Sequence, residues 1–120
     1  MATHNELGLQ GENFACDYLI NAGYKILANN WRHQKCELDI VCSFADLIIF
    51  VEVKTRSDDY FGKPAEFINT AKQSKLIEGA EAFLEEMNLE NEIRFDVIEL
   101  LYREGKFELN HIENAFHDGL

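Results

Sequence analysis

ELDIVCSFADLIIFVEVKTR, residues 37–56, is the stretch on which the reading of this chain turns. Leu47 to Val51 is an unbroken apolar run, and Ser43 to Asp46 before it is composed like a turn. The stretch therefore predicts two strands, Trp31–Cys42 and Leu47–Lys54, joined as a hairpin. A run without polar alternation belongs to a strand covered on both faces, as at the centre of an α/β sheet. Yet Glu37, Asp39, Glu52 and Lys54 place four charges in the same hairpin.

Outward from the hairpin, the elements follow in both directions. Phe14, Ala15, Tyr18, Leu19 and Ala22 recur at helical spacing, predicting a first helix over Glu6–Ala22 that ends at Gly23. Glu12 lies on the edge of its apolar stripe. Tyr24–Leu27 reads as a short strand and Asn29–Asn30 as a turn. Downstream, Gly62 marks a polar loop and Pro64 can open a second helical region reaching Met87, one helix or two, with Phe67, Ala71, Leu76, Ala80, Phe83, Leu84 and Met87 as its buried residues. Glu92–Leu101 and Lys106–Ile112 read as strands around a Glu104-Gly105 turn. The expected fold class is α/β: a mixed central β-sheet flanked by helices, in α-β-β-β-α-β-β order, forming a single domain over residues 1–120.

With 47% hydrophobic and 28% charged residues, the composition is that of a globular domain. No 18-residue apolar run occurs and MATHNELGLQ lacks the pattern of a secretory signal, so a cytoplasmic protein without a membrane partner is expected. Cys16, Cys36 and Cys42 are odd in number and form no CxxC pair, which argues against a disulfide framework or a zinc ribbon; the cysteines read as small buried side chains and His33 as an exposed imidazole rather than as ligands. The net charge of −11 excludes a protein that simply coats nucleic acid. That charge is uneven: residues 1–75 hold 10 acidic and 8 basic side chains, and residues 76–120 hold 12 and 3. The hairpin lies in the half that can meet a polyanion, while Glu81, Glu85, Glu86 and Glu90 read as a solvated helix face.

Side chains two apart on a strand share a direction, pairing Glu37 with Asp39 and Glu52 with Lys54. If the hairpin pairs residues whose numbers sum to an odd value such as 89 or 91, all four lie on one face. Carboxylates grouped beside a covered sheet repel and lose hydration unless a cation intervenes, and one lysine does not balance them. Mg²⁺ (or Mn²⁺), held by one or two carboxylates with water and substrate phosphate, would meet that need. Asp39 and Glu52 would then be its ligands and Lys54 would orient water or offset transition-state charge, which is the chemistry of phosphodiester hydrolysis. E-x-K alone is equally compatible with ordinary charge alternation at a strand end.

The spacing of Asp39, twelve residues, then Glu52-Val53-Lys54 resembles the D...(D/E)xK signature of restriction-endonuclease-like nucleases. Glu12 on the first helix is similar in placement to the additional acidic metal ligand of archaeal Holliday-junction resolvases. More closely, the chain resembles the YraN family of uncharacterised bacterial proteins in GENFACDYLINAGYKILANNWR, ELDIV, FVEVKTR, FGKPAEFI, the lysines Lys72 and Lys75, RFDV and HIENAF, from about Gly8 to Phe116. This resemblance implies a restriction-endonuclease-like, resolvase-like core and suggests nucleic-acid binding. One departure is Cys36, where the family usually has glycine before Glu37-x-Asp39; a cysteine there is expected to leave the strand regular.

The functional expectation is a nucleic-acid-binding protein, a Mg-dependent endonuclease acting on branched or structured DNA, with Asp39, Glu52, Lys54 and Glu12 catalytic and Glu37 in support. The alternative is a non-catalytic accessory module of the same fold. Thr55 and Arg56 beside Lys54, and Lys72 and Lys75 on one helical face, are candidate phosphate contacts. Gln73 comes from the same helix, and Trp31 is either a core residue or a base-stacking platform. Symmetric cutting would suit a homodimer, and no organic cofactor is expected.

Overall fold

Thr3 opens the first helix, α1 (His4–Asn21), through a reciprocal cap: its hydroxyl accepts from the Glu6 backbone N–H at 3.1 Å and the Glu6 carboxylate accepts from the Thr3 backbone N–H at 3.2 Å. The helix stops where Gly23 takes φ +96°, the left-handed conformation that glycine adopts without a Cβ penalty. The remaining elements are β1 (Lys25–His33), β2 (Cys36–Phe44), β3 (Leu47–Ser57), α2 (Thr70–Glu86), β4 (Ile93–Arg103) and β5 (Lys106–Phe116). This computed structural model describes residues 3–57 and 69–117. The expected Gly62 loop, Pro64 helix start and buried Phe67 lie outside the described residues.

The five strands form one mixed sheet in the order β1-β2-β3-β4-β5, with β3 and β4 parallel and the other neighbours antiparallel. The fold class and element order are those expected. β3 is central and covered on both faces. Ile49 and Val51 join Ala15, Leu19, Ile40 and Leu100 under α1, while Ile48 and Phe50 join Leu76, Ala80, Phe83 and Phe95 under α2. On α2, Ala71 and Met87 are exposed rather than buried, because the stripe meeting the sheet runs through Leu76, Gly79, Ala80 and Phe83.

The first hairpin differs from the expected one. Asn29 and Asn30 lie within β1 rather than in a turn, and Trp31 belongs to β1; the chain reverses instead at Gln34-Lys35, where Gln34 takes φ +56° and His33 pairs with Cys36. Asn30 does adopt a left-handed φ of 50°, but inside the ribbon. Across from it, Leu38 packs in the α2-side core and Ile40 in the α1-side core although they are two residues apart. The β1–β2 ribbon thus turns over at Asn30 and Asp39, and simple alternation fails there.

Helix α1 approaches β3 closely at Gly11. A Cβ at this position would lie 2.3 Å from Thr55 Oγ1 and 3.1 Å from Leu100 Cδ1. Gly11→Ala is therefore expected to destabilise the fold by about 1–2 kcal/mol despite alanine's better helix propensity. Thr55→Ala in the same protein should recover most of the loss. Thermal denaturation of the single and double variants measures both, and equal melting temperatures for wild type and Gly11→Ala would refute the contact.

Candidate metal and phosphate site

The β2–β3 ladder ends at Ile40 opposite Val51, and Asp39 and Glu52 are the next residues beyond it on the two strands. Both carboxylates reach the α2 side at the margin of the apolar core, where Leu38, Phe50, Leu76 and Phe95 surround the space between them. Glu52 is only 4% exposed. Asp39 Oδ2 accepts the Val53 backbone N–H at 2.9 Å. The two carboxyl groups are close enough that the Glu52 charge opposes ionisation of Asp39. With both ionised, Glu52 Oε1 is buried without any donor.

Burial pushes the Asp39 carboxyl up to about 7, the Glu52 charge adds to the rise, and the Val53 N–H works against it. Because the folded value lies above the ordinary one near 4, this group's contribution to stability is present in acid and is lost as pH rises through about 7. Asp39→Asn should therefore stabilise the metal-free protein by about 1–2 kcal/mol above pH 7, with the gain vanishing near pH 4. Melting temperatures of both proteins across that range test it. A constant difference at every pH would show that the carboxylate charge is not the cause.

Two ammonium groups meet Glu52 on its other oxygen. Lys54 Nζ lies 3.6 Å and Lys72 Nζ 3.3 Å from Oε2. Lys72 arrives from the first turn of α2, where its backbone N–H is capped by the Asn69 side chain at 2.9 Å. Sequence spacing placed Lys72 only as a phosphate contact; its pairing with Glu52 is a tertiary feature.

The other expected site residues divide. Glu12 is half-buried and shares with Lys54, Thr55 and Ser57 a cleft of about 250 Å³ between α1 and β3. Its charge acts on Asp39 through space, but among the described residues no group of three Asp, Glu, His or Cys side chains gathers closely enough to hold a metal. Glu37 is exposed and pairs with Arg32 at 3.4 Å. It does not share Asp39's direction, because the ribbon turns over there and both Cys36 and Leu38 abut Gly79 of α2. Thr55 packs its hydroxyl toward Gly11, and Arg56 is half-buried beyond it on β3. Lys75 is exposed near Cys36, whose thiol lies 2.8 Å from Glu78 Oε2. Cys36 begins β2 as a regular paired residue. Trp31 packs edge-on against Phe83 with centroids 5.3 Å apart, which gives it a core role.

A second polar cluster was not foreseen as a unit. Asp96, fully buried on β4, accepts from Arg94 Nε and Nη2 at 2.8 Å each, and from the Asn114 backbone N–H at 3.0 Å. His111 Nε2 lies 2.7 Å from Asp96 Oδ2, and Nδ1 lies 3.0 Å from the Tyr18 hydroxyl. Arg94 also donates to the Tyr24 hydroxyl. This network ties α1 to β4 and β5 and gives RFDV and HIENAF a structural meaning.

Among known proteins, the family described as "Uncharacterised protein family UPF0102" matches residues 11–100. A UPF0102 protein of Flavobacterium psychrophilum is 39% identical over 117 residues, covering 98% of each chain. One from Bacteroides thetaiotaomicron is 40% identical over 120 residues, covering 100% of this chain and 99% of its own. One from Syntrophomonas wolfei is 45% identical over 114 residues, covering 94% of this chain and 99% of its own. No helix among the described residues is long and apolar enough to cross a membrane.

Proposed function

The chain belongs to the UPF0102 (YraN) family, and we propose that it is a nucleic-acid-binding protein that hydrolyses phosphodiester bonds in branched or structured DNA as a metal-dependent endonuclease. The observation that carries this reading is the buried Glu52 Oε1, left without a donor beside a second carboxylate whose ionisation it opposes. Both lysines meet Glu52 on Oε2, so Oε1 and the neighbouring Asp39 carboxylate are the oxygens a hard divalent cation would take.

Asp39 and Glu52 would hold Mg²⁺ or Mn²⁺, with Glu12 across the neighbouring cleft available to a water or a second contact. Such a cation supplies Lewis-acid polarisation of the scissile phosphate and acidifies water. The chain's own part is positional. The Val53 N–H fixes the Asp39 carboxylate, the register of β2 and β3 fixes its separation from Glu52, and the Lys54 ammonium 3.6 Å from Glu52 offsets negative charge on the phosphate in the transition state. Arg56 and Lys75 extend the cationic surface for the nucleic-acid backbone. Two-strand cutting would draw on two such sites in a two-fold homodimer.

The net charge of −11 supports a second reading, a nuclease-like module that binds nucleic acid for a partner without cutting it. Incubation with branched, flapped, single-stranded and linear DNA in Mg²⁺ or Mn²⁺ separates the two. Metal-dependent cutting that favours branched forms is the expected result; binding without cutting in either metal would replace the first reading with the second.

A further inference from the structure

We propose that Lys72 is an exchangeable counter-ion: it holds Glu52 while the divalent site is empty and moves to substrate phosphate when a cation arrives, so that cation and polyanion binding reinforce one another. The inference rests on Asp39 and Glu52 forming a divalent-cation site and adds how that site communicates with substrate.

Three features support it. Glu52 Oε2 is shared by two ammonium groups while Oε1 has no donor, so the charge that balances the carboxylate is gathered on one oxygen. A divalent cation at the carboxyl pair would sit beside both lysines, and the repulsion is relieved most readily by the lysine that can leave. Lys54 is 33% exposed and is carried by β3 itself, two residues from Glu52; Lys72 is 42% exposed and projects from a different element on a flexible four-carbon stem. Finally, the first turn of α2 carries no acidic residue, so a Lys72 released from Glu52 stands at the positive end of a helix, where a phosphate is favoured. Phosphate bound there would draw Lys72 off Glu52 and leave the carboxylate open to the cation. By reciprocity, the cation must raise affinity for the phosphate by the same factor.

Isothermal titration with Ca²⁺, at fixed salt and with and without a short branched DNA, reads the coupling without relying on cleavage. In wild type, DNA should tighten Ca²⁺ binding about tenfold. Lys72→Met, which keeps most of the stem and removes the charge, should bind Ca²⁺ about tenfold more tightly than wild type in the absence of DNA, and DNA should then change its affinity less than about twofold. Lys72→Arg should keep the coupling. Unchanged or weaker Ca²⁺ binding by Lys72→Met, with wild-type coupling to DNA, would overturn the exchange while leaving the cation site standing. No Ca²⁺ binding by any of the proteins would remove the cation site and the exchange with it. Circular dichroism and melting temperature verify that the half-exposed substitution leaves the fold intact; if Lys72→Met fails that check, Lys72→Gln takes its place with the same expected values.

Discussion

Glu52→Gln protein is expected to cut branched DNA in Mg²⁺ roughly a thousandfold more slowly than wild type, and Asp39→Asn to match it. Each substitution removes one of two carboxylates that hold the proposed cation, while an amide of the same shape can still hydrogen-bond to the remaining carboxylate. The fold should therefore persist. Asp39→Asn is informative because its two effects have opposite signs: the metal-free protein becomes more stable above pH 7, since Asp39 sits in a site that pushes its carboxyl up to about 7, yet cleavage is lost. A structural carboxylate would lose stability and activity together. Single-turnover cleavage beside melting curves reads both, and cutting that survives both substitutions would place the chemistry elsewhere.

The second large effect is on the fold. Asp96→Asn is expected to destabilise by about 3–4 kcal/mol, lowering the melting temperature by about 10–20 °C. Asp96 is fully buried and receives four donors from Arg94, His111 and the Asn114 backbone. An asparagine has one acceptor oxygen and presents its own N–H groups, so the partly buried Arg94 guanidinium faces a donor and, among the described residues, keeps only the exposed Glu113, 3.6 Å away, as an ion pair. Burial alone would raise the Asp96 carboxyl, but hydrogen bonds from His111, Arg94 and Asn114 hold it below the usual carboxylate range. Its contribution is accordingly full at neutral pH and is lost only as pH falls below the ordinary value near 4. Tyr18→Phe, which removes one outer hydrogen bond, should cost only about 1 kcal/mol. A melting temperature for Asp96→Asn within a few degrees of wild type would show that the network does not hold α1 to the sheet.

Much of the sheet was legible because apolar runs and turn residues act locally. Leu47–Val51, apolar without alternation, reads as a strand covered on both faces, and Glu104-Gly105 with φ of 52° and 77° is the left-handed pair that a tight hairpin demands. The pairing of Asp39 with Glu52 was accessible as one of two register parities. Other features depended on contacts that spacing does not encode. Asn29-Asn30 has the composition of a turn, and Asn30 does take a left-handed φ, but the ribbon uses it to turn over rather than to reverse. That same turnover breaks the two-residue rule that grouped Glu37 with Asp39. Lys72 meets Glu52 only because α2 packs over β2, beside β3. Arg94 and Asp96 read as the polar half of an alternating strand; their burial becomes evident only when His111 is brought over from β5.

The proposed site stands or falls on whether a cation settles between two particular carboxylates. Diffraction from crystals grown in Mn²⁺, recorded at a wavelength where manganese scatters anomalously, measures this directly. The expected result is one anomalous peak about 2.1 Å from an oxygen of Asp39 and an oxygen of Glu52, with the Lys72 ammonium displaced from Glu52. A peak elsewhere, or none while both lysines remain on Glu52, would contradict it.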